Sequence, residues 1–168
     1  MSARRLPLFG VAIGIAAIIA SVPVKPVALV WNASASVPVG LYRIAQAGTM
    51  HSGMIVAVRP APNMAWLMMA RGYLGSGALL LKPVAATAGQ TVCRTGFAIT
   101  IDGQPVATAL RADRIGRPLP VWSGCRILPP GTVFLLAHDV PASFDGRYFG
   151  PIATARIVGR AIPVWTRP

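Results

Sequence analysis

Lys82 occupies a setting in which a lysine amine could act as a base. It follows three consecutive leucines, and in an extended strand its side chain would share a face with Leu80 and Val84. Burial among apolar side chains disfavours the charged ammonium and lowers its pKa from about 10.4. A lysine that is neutral near pH 7 can serve as a general base. The alternative is a lysine on an edge strand, marked by Pro83, with its amine in water.

A short serine-containing segment could supply a nucleophile. Ser34 and Ser36 are followed by Pro38 and Gly40, which are residue types typical of a turn. If Ser36 is a nucleophile, Ser34 is placed to donate its hydroxyl to an oxyanion beside the backbone N–H of Ser36. The alternative is a turn without a chemical role, and spacing alone does not decide between them.

The third candidate segment, residues 138–151, contains two of the four acidic side chains of the chain close to an arginine and a histidine. A contact between Asp145 and Arg147 would pin a turn here. A Ser–His–Asp triad is a rival arrangement, with His138 and either Asp139 or Asp145. Adjacent residues point apart on a strand, so a pairing of His138 with Asp139 would need a bend.

Taken in order, the three segments resemble the serine–lysine signal peptidases, and the first is similar to the TraF-type peptidases of conjugative transfer. The TraF-type pattern N-x-[ST]-x-S-x-P-x-G-x-Y is met at every fixed position from Asn32 to Tyr42. Ser36 stands two residues before Pro38, whereas ordinary signal peptidases have three. Gln90 stands where the lysine segment of the family commonly has Asp. The last motif matches at Ser143, Asp145, Arg147, Tyr148, Phe149, Gly150 and Pro151.

The resemblance implies that Ser36 is the nucleophile and Lys82 its general base. It also implies four supporting positions: Ser34 at the oxyanion hole, Ser143 in a hydrogen bond to the lysine amine, and Asp145 with Arg147 in the loop that holds both. The implied acyl-enzyme is resolved by water or by an amine. In TraF-type enzymes that amine can be the substrate's own N-terminus, which yields a cyclic pilin subunit.

The elements that must position these segments are short. Seventeen glycines and sixteen prolines leave little room for long helices, and one helix is predicted, at residues 64–72. We predict a mostly β body of short strands and tight turns, and the resemblance implies a signal-peptidase-like β-domain. The apolar runs that suggest strands are 27–31, 54–58, 78–81, 97–101, 133–137 and 157–165.

An uncharged apolar segment precedes this body. Residues 6–24 would span about 28 Å as a helix, enough to cross a bilayer core, and two arginines precede them. The positive-inside rule then predicts a cytoplasmic N-terminus at 1–5, a transmembrane anchor at 6–24 and a periplasmic serine peptidase domain at 25–168, in the bacterial inner membrane. The alternative is a cleaved signal peptide, but the small residues at 33–35 lie too far beyond the apolar segment.

Composition limits the classes of partner. With 54% hydrophobic and 12% charged residues the chain is not disordered, and its net charge of +12 favours anionic partners such as lipid headgroups. The arginines are scattered, with one loose cluster at Arg111, Arg114 and Arg117, unlike the compact basic stripe of a nucleic-acid groove. The expected partners are a lipid bilayer and a membrane-inserted precursor, pilin-like or secretory, and no nucleic acid.

The two cysteines, Cys93 and Cys125, could form one disulfide in an exported domain, or remain small buried thiols in a cytosolic one. Their spacing does not suggest a metal site, and no cofactor is expected.

The sequence therefore predicts a membrane-anchored serine endopeptidase of the signal peptidase type, which uses a Ser36–Lys82 dyad to process a pilin-like precursor for conjugative transfer. Hydrolysis and cyclisation both stay open. One alternative is a general signal peptidase I that removes secretory signal peptides. Another is a non-catalytic β-domain of a conjugation or secretion apparatus, in which the Ser36 hydroxyl and the Lys82 amine would not meet.

Overall fold

The computed structural model describes residues 28–167. The predicted cytoplasmic N-terminus at 1–5 and the predicted transmembrane anchor at 6–24 lie outside the described residues. Between residues 28 and 167, no helix combines the length and the hydropathy that a bilayer crossing requires.

The described chain is mostly β, as predicted, and its strands are short. The eleven strands in residues 28–167 are β1 Ala28–Asn32, β2 Gly40–Ala45, β3 Ile55–Val58, β4 Leu80–Ala86, β5 Thr91–Thr95, β6 Ala98–Ile101, β7 Gln104–Thr108, β8 Gly124–Ile127, β9 Thr132–Leu135, β10 Ile152–Ala153 and β11 Ile157–Thr166.

Two α-helices and one 3₁₀ turn complete the described elements. Helix α1, Pro62–Ala70, begins with a proline, whose missing N–H has no partner to lose in the first turn of a helix. The sequence predicted this helix at 64–72, so its existence is confirmed and its bounds lie two residues earlier. Helix α2, Gly146–Phe149, was not predicted, and the 3₁₀ turn spans Thr154–Arg156.

Seven strands form one antiparallel sheet in the order β1-β2-β11-β3-β4-β9-β10. The serine segment connects β1 with β2, and Lys82 lies on β4, three strand spacings from β2. Across a flat sheet this separation would be about 14 Å, so the serine segment has to fold back over the sheet to reach Lys82. A buried apolar cluster that unites Val37 and Tyr42 with Leu81 and Ala161 holds it there.

Strand β11 joins the two halves of this sheet, because it pairs with β2 on one side and with β3 on the other. Gly159 permits this close approach: a Cβ added there would lie 2.3 Å from the carbonyl oxygen of Ala45. A larger residue would push β11 away from β2 and thereby displace the serine segment from the lysine strand.

The main core lies against β4 and β9. Its buried members include Val56, Val58, Met68, Leu80, Val84, Leu135, Phe144 and Tyr148. The core therefore packs directly around the strand that carries Lys82.

Four further strands form a separate antiparallel sheet in the order β7-β6-β5-β8. Val92, Ile99 and Leu128 pack it against Phe134 of the larger sheet. Cys93 and Cys125 face each other across β5 and β8 and are joined by a disulfide, as one of the two sequence-based alternatives expected.

This disulfide should contribute to stability, because it closes a loop between residues 32 positions apart. We expect the Cys93→Ala/Cys125→Ala double variant to lose about 3 to 4 kcal/mol of unfolding free energy, the entropy cost of such a loop in the unfolded chain. Urea unfolding of the two proteins measures this difference. Reduced wild type is the matched control and should resemble the double variant; equal stability of oxidised wild type and double variant would contradict the prediction.

Candidate active site

The side chains of Ser36, Lys82 and Ser143 meet in the interior of the domain. The Lys82 amine donates hydrogen bonds to Ser36 Oγ at 2.5 Å and to Ser143 Oγ at 2.8 Å. The two hydroxyl oxygens are 3.1 Å apart and also hydrogen-bond each other. All three residues are buried, and Lys82 is only 3% exposed. Ser36 and Lys82 are 46 positions apart in the sequence, and Lys82 and Ser143 are 61 positions apart. The three polar groups thus form one closed triangle.

Lys82 lies on an interior strand, so the edge-strand alternative marked by Pro83 is wrong. Strand β4 pairs with β3 on one side, where Val56 lies opposite Lys82, and with β9 on the other. As the alternation predicted, Leu80 and Val84 on the same face belong to the buried core. The amine therefore has no route to water along a free sheet edge.

Burial lowers the pKa of the Lys82 amine from 10.5 to about 8. The main cause is desolvation of the ammonium; the negative charge of Asp145 acts against the shift, and the positive charge of Arg147 adds to it. At pH 7 roughly a tenth of such amines are neutral, against about one in three thousand at the ordinary pKa. The environment thus makes Lys82 a far better proton acceptor than an exposed lysine.

The serine segment is held by the side chain of Asn32. The amide nitrogen of Asn32 donates to the carbonyl oxygens of Ser34, Val37 and Pro38 at 2.7, 2.9 and 3.1 Å. The hydroxyl of Tyr42 donates to the Pro38 carbonyl as well, at 2.7 Å. A loop without regular secondary structure therefore has its inward-facing carbonyls satisfied, and the backbone that carries Ser36 is fixed.

Ser34, the predicted oxyanion-hole residue, lies in the wall of the cleft into which the Ser36–Lys82 pair opens. Its hydroxyl donates to the Asn32 side-chain oxygen at 3.1 Å, and its backbone N–H donates to the same oxygen. Ser34 is exposed, so its hydroxyl can rotate from Asn32 towards a molecule in the cleft.

Asp145 and Arg147 form a completely buried ion pair, as the sequence suggested. Two guanidinium nitrogens of Arg147 contact the two carboxylate oxygens of Asp145, at 2.8 and 2.9 Å. Asp145 is 0% and Arg147 1% exposed. Asp145 also accepts the backbone N–H groups of Ala137 and Arg147 and so caps the N-terminus of α2.

Arg147 ties together the loop that leads to Ser143. Its guanidinium donates to the carbonyl oxygens of Ala137, Val140 and Pro141, at distances from 2.7 to 3.2 Å. Each of these bonds satisfies a backbone group that no strand partner reaches. The Ser143 hydroxyl beside Lys82 is therefore positioned through the buried ion pair.

Arg94 also supports this loop, although the sequence analysis did not single it out. It is 1% exposed and donates to the Arg147 carbonyl at 2.5 Å and to the Pro120 carbonyl at 3.2 Å. The available signal was weak: Arg94 is two residues after Val92 in β5 and thus shares its buried face.

The rival Ser–His–Asp triad is not assembled. His138 and Asp139 do touch, with 2.7 Å between His138 Nδ1 and a carboxylate oxygen, but both are exposed. Asp145 is engaged by Arg147, and among the described residues the side-chain partners of the Ser36 hydroxyl are Lys82 and Ser143.

The site opens into a cleft of about 710 Å³. The cleft is lined by the serine segment, by residues 78–82 at the start of β4, and by parts of the segments 73–75 and 110–119. Within residues 28–167, no three His, Cys, Asp or Glu side chains are grouped as metal ligands would be.

Comparison with known proteins identifies the family of the chain. The family model described as signal peptidase, peptidase S26, matches residues 2–166 of the chain. The chain belongs to the signal peptidase family.

Within this family the relatives include conjugal transfer proteins. The conjugal transfer protein TraF of Agrobacterium fabrum is 39% identical over 148 residues, which cover 80% of this chain and 81% of that protein. A plasmid transfer protein TraF of Escherichia coli is 32% identical over 144 residues, with the same two shares. The TraF-type resemblance inferred from the motifs is therefore confirmed. A solved signal peptidase I from Enterococcus faecalis aligns with 68% of this chain and 98% of its own, at 19% identity and a TM-score of 0.39.

Gln90 stands where the lysine motif named in the sequence analysis commonly has Asp, and a carboxylate lies beside it in the structure. The Gln90 side chain accepts the Thr87 N–H and donates to Asp102 at 2.8 Å, while Asp102 also accepts the Thr91 N–H. A carboxylate from the neighbouring small sheet thus completes the turn that follows β4.

The lowered pKa of Lys82 can be measured directly, because the chain contains only one other lysine, Lys25. We expect the Lys82 side chain of a ¹³C-lysine-labelled protein to titrate by NMR at about pH 8 when folded, and near 10.5 in urea. The Lys25→Arg variant assigns the two signals. A folded-state Lys82 pKa above 10 would contradict the desolvated environment described above.

Asn32 should be required for the geometry of the serine segment. We expect Asn32→Asp to destabilise the domain by about 1 to 3 kcal/mol, because the buried carboxylate cannot donate to the three backbone carbonyls and repels them. Urea unfolding measures the loss. Asn63→Asp, on the exposed face of α1, is the matched control and should change stability little; equal effects of the two substitutions would argue against the role of Asn32.

Proposed function

We propose that this chain is a membrane-anchored serine endopeptidase of the signal peptidase type that processes a pilin-like precursor in conjugative transfer. One observation carries the proposal: the Lys82 amine donates to the Ser36 hydroxyl at 2.5 Å in a buried site that opens into a cleft. In the rival non-catalytic domain these two side chains would have no reason to meet.

The reaction begins with a proton transfer. The neutral Lys82 amine takes the proton of Ser36, and Ser36 Oγ attacks the scissile carbonyl carbon. The negative charge on the carbonyl oxygen is stabilised by the Ser36 N–H and by the Ser34 hydroxyl, which turns from Asn32 to the substrate. Because the backbone N–H of Ser36 is already in place and needs no reorganisation, the loop held by Asn32 contributes to catalysis as well as to folding.

The peptide bond then breaks. The Lys82 ammonium returns its proton to the leaving amine, and an ester links the acyl group to Ser36 Oγ. Water loses a proton to Lys82 and attacks this ester; the bond to Ser36 Oγ breaks, the Lys82 ammonium returns the proton to Oγ, and a carboxylic acid is released. An amine that attacks in the same way forms a new amide. Ser143 accepts a hydrogen bond from the lysine in the resting state and so keeps the amine directed at Ser36.

The conjugative role is supported by the relatives and by one spacing in the chain. The matched proteins of Agrobacterium fabrum and Escherichia coli are conjugal and plasmid transfer proteins by name. Ser36 stands two residues before Pro38, as in the TraF-type pattern. A general signal peptidase I for secretory precursors is the alternative, and the family model is compatible with it.

The proposed location is the bacterial inner membrane, with residues 6–24 as a single anchor and the domain that follows in the periplasm. The disulfide between Cys93 and Cys125 supports an oxidising compartment, and the apolar character of residues 6–24 supports the anchor. The bilayer would bring the catalytic cleft close to membrane-inserted precursors.

The proposal is tested by co-expressing the chain with a candidate prepilin and following the product by mass spectrometry. We expect Ser36→Ala and Lys82→Met each to reduce processing by at least about a thousandfold, since each removes a member of one catalytic unit. A product lighter than the cut linear chain by one water molecule would identify cyclisation.

Two controls sharpen this experiment. His138→Ala should process normally, because His138 does not contact Ser36, and a secretory preprotein in place of the prepilin tests the general signal peptidase. Normal processing by Lys82→Met would overturn the dyad. Wild type that cleaves neither precursor, although folded, would favour the non-catalytic domain.

A further inference from the structure

One loop that carries cationic side chains lines the same cleft as the Ser36–Lys82 pair. Residues 110–119 line the cleft through Leu110, Asp113, Arg114, Ile115, Arg117 and Leu119. The loop contains three arginines, Arg111, Arg114 and Arg117, at intervals of three residues. Their environments differ, and the difference indicates a function for one of them.

The tip of this loop is a tight turn. The Asp113 N–H donates to the Arg117 carbonyl at 2.9 Å, and the Gly116 N–H donates to the Asp113 carbonyl at 3.0 Å. Gly116 adopts φ +82°, a conformation that favours glycine. Arg114 and Ile115 therefore stand at the end of the turn, and both are exposed, Ile115 by 73%.

The base of the turn is fixed by side chains. Asp113 accepts hydrogen bonds from the Tyr73 hydroxyl, from the Ile115 N–H and from Arg117. The Arg117 side chain forms an ion pair with Asp113 at 2.6 Å, and the Arg71 guanidinium donates to the Pro118 carbonyl at 2.8 Å. The tip is thus presented on a loop that is already ordered.

Arg114, in contrast to Arg117, has no partner within the described chain: its guanidinium takes part in no hydrogen bond or ion pair between residues 28 and 167. The four aspartates of the chain are already engaged, and they are Asp102 with Gln90, Asp113 with Arg117, Asp139 with His138 and Asp145 with Arg147. The cation at the tip therefore faces the cleft uncompensated.

We propose that Arg114 is a specificity residue that binds an acidic side chain of the substrate peptide, and that Ile115 contacts an apolar neighbour of that acid. The proposal rests on the peptidase function proposed above. A guanidinium matches a carboxylate with two parallel hydrogen bonds, and an ordered loop loses little entropy when it binds. The favoured substrates carry Asp or Glu next to an apolar residue near the cut.

An anionic lipid headgroup is the other anion that a basic chain of net charge +12 could meet. The position of Arg114 favours the peptide, because Arg114 lines the same cleft as Ser34, Ser36 and Lys82. A group in that wall is close to the chain being cut.

The test uses the full chain in detergent and internally quenched peptides with alanines around the cut, in which Glu or Gln is placed at one position after another. At one position or two adjacent positions, Glu should raise kcat/KM over Gln about five- to tenfold, as expected for one partly exposed charge-assisted contact. Arg114→Gln should bring this ratio to about one, because it lowers kcat/KM for the Glu peptide more than for the Gln peptide. Arg114→Glu should reverse the preference towards Lys at the same position.

Arg111→Gln is the matched control, because Arg111 is exposed on the same loop but does not line the cleft. It should keep the wild-type ratio. A ratio near one at every position in the wild type, or an equal loss in Arg111→Gln, would overturn the proposal. So would a ratio that Arg114→Gln leaves unchanged while it lowers activity only in phosphatidylglycerol vesicles, which would assign the arginine to lipid.

Binding separates this proposal from the proposed function. In the Ser36→Ala chain, fluorescence anisotropy of labelled Glu and Gln peptides measures affinity without turnover, and the Glu peptide should bind about five- to tenfold more tightly. If wild type cleaves no peptide but this affinity ratio is present and depends on Arg114, the peptidase function fails and the carboxylate site stands. If cleavage occurs and the ratio is absent, the reverse holds.

Discussion

The burial of one lysine amine is the constraint on which the site depends. An amine that is 3% exposed has lost its water, and its polar partners in the described structure are two neutral hydroxyls, of Ser36 and Ser143. A carboxylate in contact would hold the ammonium charged. Asp145, whose charge raises the Lys82 pKa, is instead paired with Arg147, whose charge lowers it. The ion pair therefore strengthens the loop without fixing a proton on the base.

Two loops, rather than two strands, bring the hydroxyls to the amine, and both are built in the same way. In each loop, one buried polar side chain donates hydrogen bonds to three backbone carbonyl groups. Asn32 does so in the serine segment, and Arg147 does so in the segment that precedes Ser143. Irregular backbone can be buried only if its polar groups find partners. Among the described residues no buried side-chain nitrogen or oxygen is left without one. The reacting groups are consequently set by networks, in which the loss of one donor affects several bonds.

The apolar runs of the sequence predicted part of this fold, and the three sequence motifs predicted much of the candidate site. Each of the six apolar runs overlaps a strand: β3, β4 and β9 bury most of their side chains, whereas β1 and β11 are apolar although largely exposed. Strands such as β7 and β8 were missed, since they are short and largely exposed and lack the apolar signal. The edge position inferred from Pro83 was wrong because β9, which covers that side of β4, comes about fifty residues later in the chain. The contact between Ser36 and Lys82 likewise depends on how β11 joins the β1–β2 pair to the β3–β4 pair. No spacing in the sequence predicts that pairing.

Because acidic side chains are scarce, the position of each basic side chain determines what it can bind. With four acidic against sixteen basic side chains, three of the four aspartates are used inside the fold, to cap, to close a turn or to neutralise a buried arginine, and the exposed Asp139 contacts His138. Most guanidiniums therefore have no carboxylate of their own chain to bind, and their role is set by where they stand. On the outer surface such a charge would be attracted to the anionic bilayer of the proposed location. In the wall of a cleft, on a loop fixed by its own ion pair, the same charge is the proposed partner of an acidic substrate side chain, so that a chain poor in acids would select a substrate that carries one.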